Sequence, residues 1–339
     1  MPSWKELVIA DRDCLRRGLQ QQFAIERLAP ASRQSWNAVF RGEGNGGTYF
    51  VKVLRPRMGR VNGGAGWGAV VAEALVRAGF VEVVAPLRNR EREIVTRISD
   101  YHVLVYPWCT GRSLEGRGSA SSVDAGRLLG RLHSALADLG PLTDESATAQ
   151  GAEVSAFAWP PWIWATNAKE LWSDVRRMCT PSWETRSRLQ RAEAAGEELL
   201  ESAAWFFAPD GAHQQAVHGD FGPSNTMSLR QGDLRVVDFD MCHHGRVEED
   251  IAYAALSHSG PAWMLGPRDL GAMAAFISAY QSDRRRRGME PIASQPLLVA
   301  LRWWALKMLS LSFRPDQVAG RLSALASAYG VDHRTLKSA

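Results

Sequence analysis

The chain has 339 residues, 45% hydrophobic and 22% charged, which suits a folded protein with two cores and excludes a disordered or fibrous one. A formal net charge of +4 is a mild bias; the longest basic run, Arg284–Arg287, ends an amphipathic helical pattern, and no broad basic surface interleaved with aromatics argues for nucleic acid. The four cysteines, Cys14, Cys109, Cys179 and Cys242, form no Cys-x-x-Cys pair, so neither a zinc ribbon nor a disulfide framework is indicated, and a reducing cytoplasm is the expected compartment.

The N-terminus, from Met1 to Glu6, lacks a basic start followed by an apolar run, so no signal peptide is expected. No stretch approaches twenty uninterrupted apolar residues, so no membrane span is expected either. The first hundred residues read as strand-rich. Trp36–Arg41 and Thr48–Leu54 are short β-leaning runs separated by Gly42–Gly47, as in a hairpin with a longer loop. A glycine-rich connector follows from Gly59 to Gly68, then a helix over Ala69–Ala78 that stops at Gly79. Val81–Val84, Glu93–Ile98 and His102–Tyr106 complete a small sheet.

Pro107–Gly118 reads as a linker, and beyond it the composition turns helical. Ser122–Leu139 has leucines at helical spacing and ends at Gly140-Pro141. Residues 142–210 read as helical and rich in tryptophan. Short segments lie around Val217, Met227 and Val236, and four helices with short breaks are expected from Glu248 onward. The pattern predicts a bilobal α+β protein: an N-terminal lobe over residues 1–108 and a helical C-terminal lobe over 109–339.

The chemistry is concentrated in His218-Gly219-Asp220-Phe221-Gly222-Pro223-Ser224-Asn225 and, after a short hydrophobic strand, Val236-Val237-Asp238-Phe239-Asp240. Phosphoryl transfer needs positioning and charge neutralisation more than covalent help from the protein. Mg²⁺ takes oxygen ligands, commonly one or two carboxylates with phosphates and water. Asp238 and Asn225 offer a carboxylate and an amide oxygen. Asp220 is then left to orient an acceptor hydroxyl and take its proton. The bland alternative, a polar turn in which Asp220 and Asn225 cap local backbone, is weakened by the preceding His-Gly and by the second Asp on a strand.

The stretch resembles the catalytic loop of the aminoglycoside phosphotransferase/choline kinase-like family, with its His-Gly-Asp-x-x-x-x-Asn signature, and Asp238-Phe239-Asp240 resembles that family's metal-binding segment. The resemblance implies a protein-kinase-like fold, Asp220 as catalytic base, Asn225 and Asp238 as Mg²⁺ ligands, and ATP or GTP as co-substrate. It implies an architectural role for His218. Lys52, in Phe50-Val51-Lys52-Val53-Leu54, matches the phosphate-contacting lysine, and Glu73 on the following helix would pair with it. Leu104–Trp108 resembles the hinge between lobes, which brings Tyr106 and Trp108 to the nucleotide base. Ser32–Asn37 is the expected loop over the phosphates, with Ser35 and Asn37 as contacts, although it lacks the glycines of a protein-kinase loop. Leu128–His133 resembles a helix ending in Leu-His, with His133 structural. Asp250, in Glu249-Asp250-Ile251-Ala252, is expected to bond backbone in the catalytic region. Asp240 stands where the family has glycine; between an added metal contact and a turn cap, the turn cap is the preferred reading.

Other classes fit less well. Gly64-Ala65-Gly66-Trp67-Gly68-Ala69 matches a dinucleotide-binding pattern, but no βαβ alternation surrounds it; a flexible connector is the preferred reading. Cys242-His243-His244 lacks metal-site spacing. A protein kinase would need an Ala-Pro-Glu element and a longer activation segment. A catalytically silent binding protein is opposed by the presence of Lys52, Asp220, Asn225 and Asp238 together. For the acceptor, the chain has 13 tryptophans, five of them between Trp159 and Trp183, which either pack helices or stack on a substrate. The working expectation is a small-molecule hydroxyl substrate, a sugar-bearing or nucleoside antibiotic, with a metabolic sugar or amino-alcohol kinase as the alternative. Trp303 and Trp304 are expected in a core.

Overall fold

The computed structural model describes residues 4–32, 37–54, 64–115, 121–140, 214–230, 232–261, 264–310 and 315–331. The loop residue Ser35 and the tryptophan-rich segment 159–183 lie outside these residues. The chain divides into two compact units, one holding the residues up to Gly111 together with Arg235–His243, the other holding Arg112–Asp138, the residues up to Leu234 and those from His244 onward.

In the first unit, two helices that were not anticipated open the chain: α1 (Trp4–Ala10) and α2 (Arg12–Phe23). Val8, Leu15 and Leu19 are their buried residues, and the spacing of four between the leucines puts both on one helix face. Ala24 ends α2 in a left-handed conformation, its N–H returned to Gln20 and Leu19 carbonyls. Next come β1 (Ile25–Ser32), β2 (Ala38–Gly44), β3 (Gly47–Val53), helix α3 (Gly64–Arg77), β4 (Thr96–Ile98) and β5 (Tyr101–Pro107). The five strands form one sheet in the order β1-β2-β3-β5-β4 with antiparallel pairing throughout. Phe40, Val51, Val53, Val103 and Val105 share a buried cluster with Val8, Leu15 and Leu19.

Three local expectations are corrected here. The hairpin loop is short: β2 runs to Gly44 and β3 starts at Gly47, so Asn45-Gly46 makes the turn, the dipeptide best suited to a two-residue hairpin. The Gly64–Ala69 stretch is the opening of α3 and no flexible connector. Val81–Val84 contributes a single parallel bridge, Val83 to Val236, with Val84 N–H donating to the Val236 carbonyl and Val236 N–H to Glu82.

The second unit contains β6 (Arg112–Ser113), α4 (Ser122–Asp138), β7 (Gln214–Val217), a 3-10 turn over Pro223–Asn225, and β8 (Thr226–Ser228). The linker is therefore not structureless: Arg112 and Ser113 pair with Ser228 and Met227. Strand β9 (Leu234–Val236) and a second 3-10 turn over Phe239–Met241 lead to β10 (His243–Arg246), which pairs with β7. Four helices follow as expected: α5 (Val247–His258), α6 (Leu270–Arg286), α7 (Ser294–Ser310) and α8 (Pro315–Gly330). Asp269 caps α6 by accepting from Ala272 N–H at 3.0 Å. Among the described residues no helix is long and apolar enough to cross a membrane.

Candidate active site

Two groups of polar side chains stand out, one in each unit. The first gathers around Lys52. On β3, Lys52 sits opposite Val39 and Leu104 in the neighbouring strands and is only 3% exposed. Its ammonium donates to Asp238 Oδ1 at 2.6 Å and to Asp240 Oδ1 at 2.8 Å. It also lies 5.8 Å from the centroid of the Tyr106 ring. Burial alone would push the ammonium down, but the carboxylates of Asp238 and Asp240 outweigh it and hold Lys52 above its ordinary value. Burial, then the neighbouring Asp238 carboxylate, push Asp240 up to about 6 against the pull of Lys52.

Local backbone explains how Asp238 reaches Lys52. Asp238 holds a left-handed conformation, φ 65°, and begins the 3-10 turn over Phe239–Met241; Asp and Asn tolerate this region better than other non-glycine residues. Helix α3 packs on this turn through Gly68, where an added Cβ would come within 1.9 Å of the Phe239 carbonyl oxygen. Only a residue without a side chain lets the helix sit there, which is the physical use of a glycine that resembled a nucleotide fingerprint.

Two expectations change in this group. Asp240 is no mere turn cap: besides Lys52, it accepts Asn37 Nδ2 at 2.7 Å through Oδ2. Glu73 does not pair with Lys52. Its carboxylate is gripped by the Arg88 guanidinium, Nε to Oε1 and Nη2 to Oε2, the latter at 2.5 Å, a fork-to-fork match that a lysine cannot offer. Arg88 lies in an irregular segment, so no periodic signal marked it. Tyr106 is buried and its phenol is pushed up by burial. Trp108 is part-exposed, its backbone N–H donates to Thr48 at 3.1 Å, and its ring carries the Arg41 guanidinium at 5.5 Å.

The second group is the Asp220 loop. Asp220 Oδ2 accepts Asn225 Nδ2 at 2.9 Å, and the same nitrogen donates to the Asp220 carbonyl at 2.9 Å. Backbone bonds tighten the loop: Gly222 N–H to Asp220 at 2.8 Å and Asn225 N–H to Gly222 at 3.0 Å. Because Asn225 spends its nitrogen on Asp220, its amide oxygen is the atom left for a ligand. Leu114 N–H donates to the carbonyls of Pro223 and Thr226, tying the loop to the segment that carries β6.

Beneath the loop, Asp250 on α5 is almost fully buried and makes three contacts, one with each of three residues. His218 N–H donates to Oδ2 at 2.8 Å, Gly219 N–H to Oδ1 at 2.9 Å, and His133 Nε2 lies 3.0 Å from Oδ2. Burial would raise the Asp250 carboxyl, but the hydrogen bond and charge of His133 and the His218 contacts hold it below its ordinary value. His133 Nδ1 meets the Tyr280 hydroxyl at 2.9 Å, so both ring nitrogens are satisfied, as a structural histidine requires. His218 Nδ1 accepts the Asp220 N–H at 3.2 Å. Gly219, at φ +76°, makes the bend that turns both amides onto Asp250.

Tyr253 was not anticipated. Its hydroxyl donates to Asp220 Oδ1. A usable signal existed: Tyr253 follows Asp250 by three residues on α5, hence on the same helix face as the residue that anchors the loop. Trp304 also departs from expectation, being part-exposed and set against Tyr253 with ring centroids 4.9 Å apart, while Trp303 is buried.

Each group by itself offers an oxygen of the kind a hard divalent cation takes: in the first unit the Asp238 carboxylate, 42% exposed, and in the second the Asn225 amide oxygen, oriented by its own nitrogen. A model for the phosphotransferase enzyme family matches residues 27–291. No curated protein sequence matches the chain. Among solved structures, an amicoumacin kinase determined with AMP-PNP, Ca²⁺ and amicoumacin superposes at TM-score 0.64 with 15% identity, covering 97% of this chain and 96% of its own. A microcompartment-associated aminopropanol kinase gives 0.63 at 18%, covering 97% and 98%, and a choline kinase from Streptococcus pneumoniae gives 0.55 at 13%, covering 95% and 100%. At these identities the likeness establishes the protein-kinase-like fold, and the family match over most of the chain establishes the rest: this protein belongs to the phosphotransferase enzyme family.

Proposed function

We propose that the protein moves the γ-phosphoryl group of a magnesium-bound nucleotide, ATP or GTP, onto a hydroxyl of a small non-protein acceptor. The observation that carries this reading is the Asp220 loop: a carboxylate held by Asn225, on a loop whose His218 and Gly219 amides Asp250 gathers, in a member of a phosphotransferase family. Asp220 orients the acceptor hydroxyl and takes its proton. Asn225 and Asp238 hold the metal, which neutralises phosphate charge when bound. Lys52 contacts the phosphates as a point charge, Ser35 and Asn37 belong to the loop over them, and Tyr106 and Trp108 line the base. Residues 1–108 form the nucleotide lobe with its hinge, and 109–339 the catalytic and acceptor lobe.

In the proposed step the acceptor oxygen forms the new bond to the γ-phosphorus. The bond to the bridging oxygen breaks, its electron pair leaves on the nucleoside diphosphate, and the acceptor's proton passes to Asp220. Preorganisation is the loop's contribution, because both bonds that orient the carboxylate come from the protein itself.

The working acceptor class is an antibiotic, inactivated by O-phosphorylation. The second reading, an amino-alcohol kinase, is favoured by the aminopropanol and choline kinases among structures of the same fold. A nucleotide-consumption screen with Mg²⁺, comparing ATP and GTP over antibiotics, aminopropanol and choline, tests both. Turnover of one class selects it; no turnover with any hydroxyl compound, despite nucleotide binding, would leave the silent binding protein as the better account.

A further inference from the structure

The Tyr253 hydroxyl makes, within the protein, the contact that the proposed mechanism assigns to an acceptor. Asp220 has two carboxylate oxygens. Oδ2 is engaged by Asn225 Nδ2 at 2.9 Å, and Asn225 is tied into the loop through its own N–H to Gly222. Oδ1 accepts the Tyr253 O–H. A phenol O–H donated to a base oxygen is chemically the same arrangement as an alcohol O–H donated to it before transfer.

The surroundings show a definite resting place. Gly222 lies beside the phenol: a Cβ built there would be in ordinary contact with Tyr253 Oη, at 3.5 Å. On its other side the ring meets Trp304, inclined at 53°. Tyr253 and Trp304 are both only part-buried, so the ring is seated without being locked inside a core. Burial, then the Asp220 carboxylate, push the phenol well above its ordinary value, so it keeps its proton and remains a donor across the working pH range.

We infer that Tyr253 is a place-holder for the acceptor: its hydroxyl occupies Asp220 Oδ1 and keeps water off the base until an acceptor hydroxyl displaces it. The inference rests on the assignment of Asp220 as base. Its consequence is protection of the nucleotide. Water at Oδ1 would be activated as an alcohol is: its oxygen would bond to the γ-phosphorus, its proton would pass to Asp220, and the nucleoside diphosphate would leave with the bridging electron pair. The products would be inorganic phosphate and nucleoside diphosphate, without any acceptor modified.

The hydrolysis arm of the test needs no acceptor; the arm that separates the two readings uses an acceptor from the nucleotide-consumption screen. Phosphate release from ATP and Mg²⁺ is measured for the full chain without acceptor, in wild type, Tyr253→Phe and Tyr253→Leu. Phe keeps the ring against Trp304, and Leu provides a second hydroxyl-free variant should Phe disturb folding. Both should raise phosphate release roughly tenfold or more, within the range general-base catalysis supplies, and adding Asp220→Asn should abolish the rise. A purely structural tyrosine would not produce this gain of hydrolysis. Release that stays at or below wild type in a folded variant overturns the inference, as does a rise that survives Asp220→Asn. The two readings separate cleanly: if Asp220→Asn alone leaves acceptor phosphorylation intact, the base assignment fails; if it abolishes transfer while Tyr253→Phe leaves hydrolysis unchanged, only the place-holder fails.

Discussion

The Lys52 group and the Asp220 loop are organised by different physics. Around Lys52, one buried ammonium balances two carboxylates, and the arrangement depends on charge: Asp238 and Asp240 are close enough to push Asp240 upward, and Lys52 holds them together. Around Asp220, order comes from directional hydrogen bonds in a stack, from Tyr280 to His133 to Asp250 to the loop amides, and from Asn225 to the carboxylate. In the proposed function the charge-balanced Lys52 group would meet the nucleotide and its metal, and the hydrogen-bonded Asp220 loop the acceptor's proton.

Three substitutions sharpen this contrast. The largest effect is expected from Asp250→Ala, which leaves two loop amides and His133 without their acceptor. Breaking a fully buried, multiply bonded carboxylate costs about 3–5 kcal/mol, so urea unfolding should show a large fall in stability. A change under about 1 kcal/mol would mean the stack does not organise the loop. Next, Gly68→Ala forces a methyl into the Phe239 carbonyl. Overpacking of this kind costs about 1–3 kcal/mol, and the Mg²⁺ concentration needed for half-maximal nucleotide turnover should rise, because Asp238 precedes the displaced carbonyl. An unchanged Mg²⁺ requirement would separate α3 from the proposed role of Asp238 as a metal ligand.

The smallest effect concerns acid. His258 is buried against Phe276 and Phe221, with ring centroids 5.5 and 5.8 Å away, and its Nε2 has no hydrogen-bond partner among the described residues. Burial pushes His258 down to about 3. The native state therefore keeps it neutral while the unfolded chain protonates near the ordinary histidine value of about 6.5. Stability is unaffected above that value and declines as pH falls from there toward 3, by about 1.4 kcal/mol for the first full unit. Comparing the unfolding midpoint of wild type and His258→Phe at pH 7.5 and 5.5 isolates this share: the substitution should remove it, and an equal acid loss in both proteins would assign it elsewhere.

How legible these features were in the sequence follows from how local they are. The Asp220 and Asp238 segments could be read because their residues stand close together in the chain, at spacings that a tight loop and a short strand dictate. Asp250 and His133 were read as structural because the short motifs around them resemble the family's, although the two meet across 117 residues of chain. Arg88 and Tyr253 were not anticipated, since neither stands in a motif: Arg88 reaches Glu73 from an irregular segment, and Tyr253 reaches Asp220 from a helix. Helix α2 was missed although Leu15 and Leu19 have helical spacing. Gly18 weakens the helical signal there, yet an added Cβ at that position would lie 2.5 Å from Ile98 Cγ2. Tertiary packing requires the residue that local propensity disfavours. The glycines opening α3 misled in the same way.

The most direct trial of the central claim is Asp220→Asn, which nearly preserves shape and removes the negative charge. With an acceptor found by the nucleotide-consumption screen, single-turnover phosphorylation should fall by roughly 10²–10⁴, while calorimetry finds the Kd for nucleotide with Mg²⁺ within about twofold of wild type. Transfer at the wild-type rate would contradict the account, because a carboxamide in that position cannot accept the acceptor's proton.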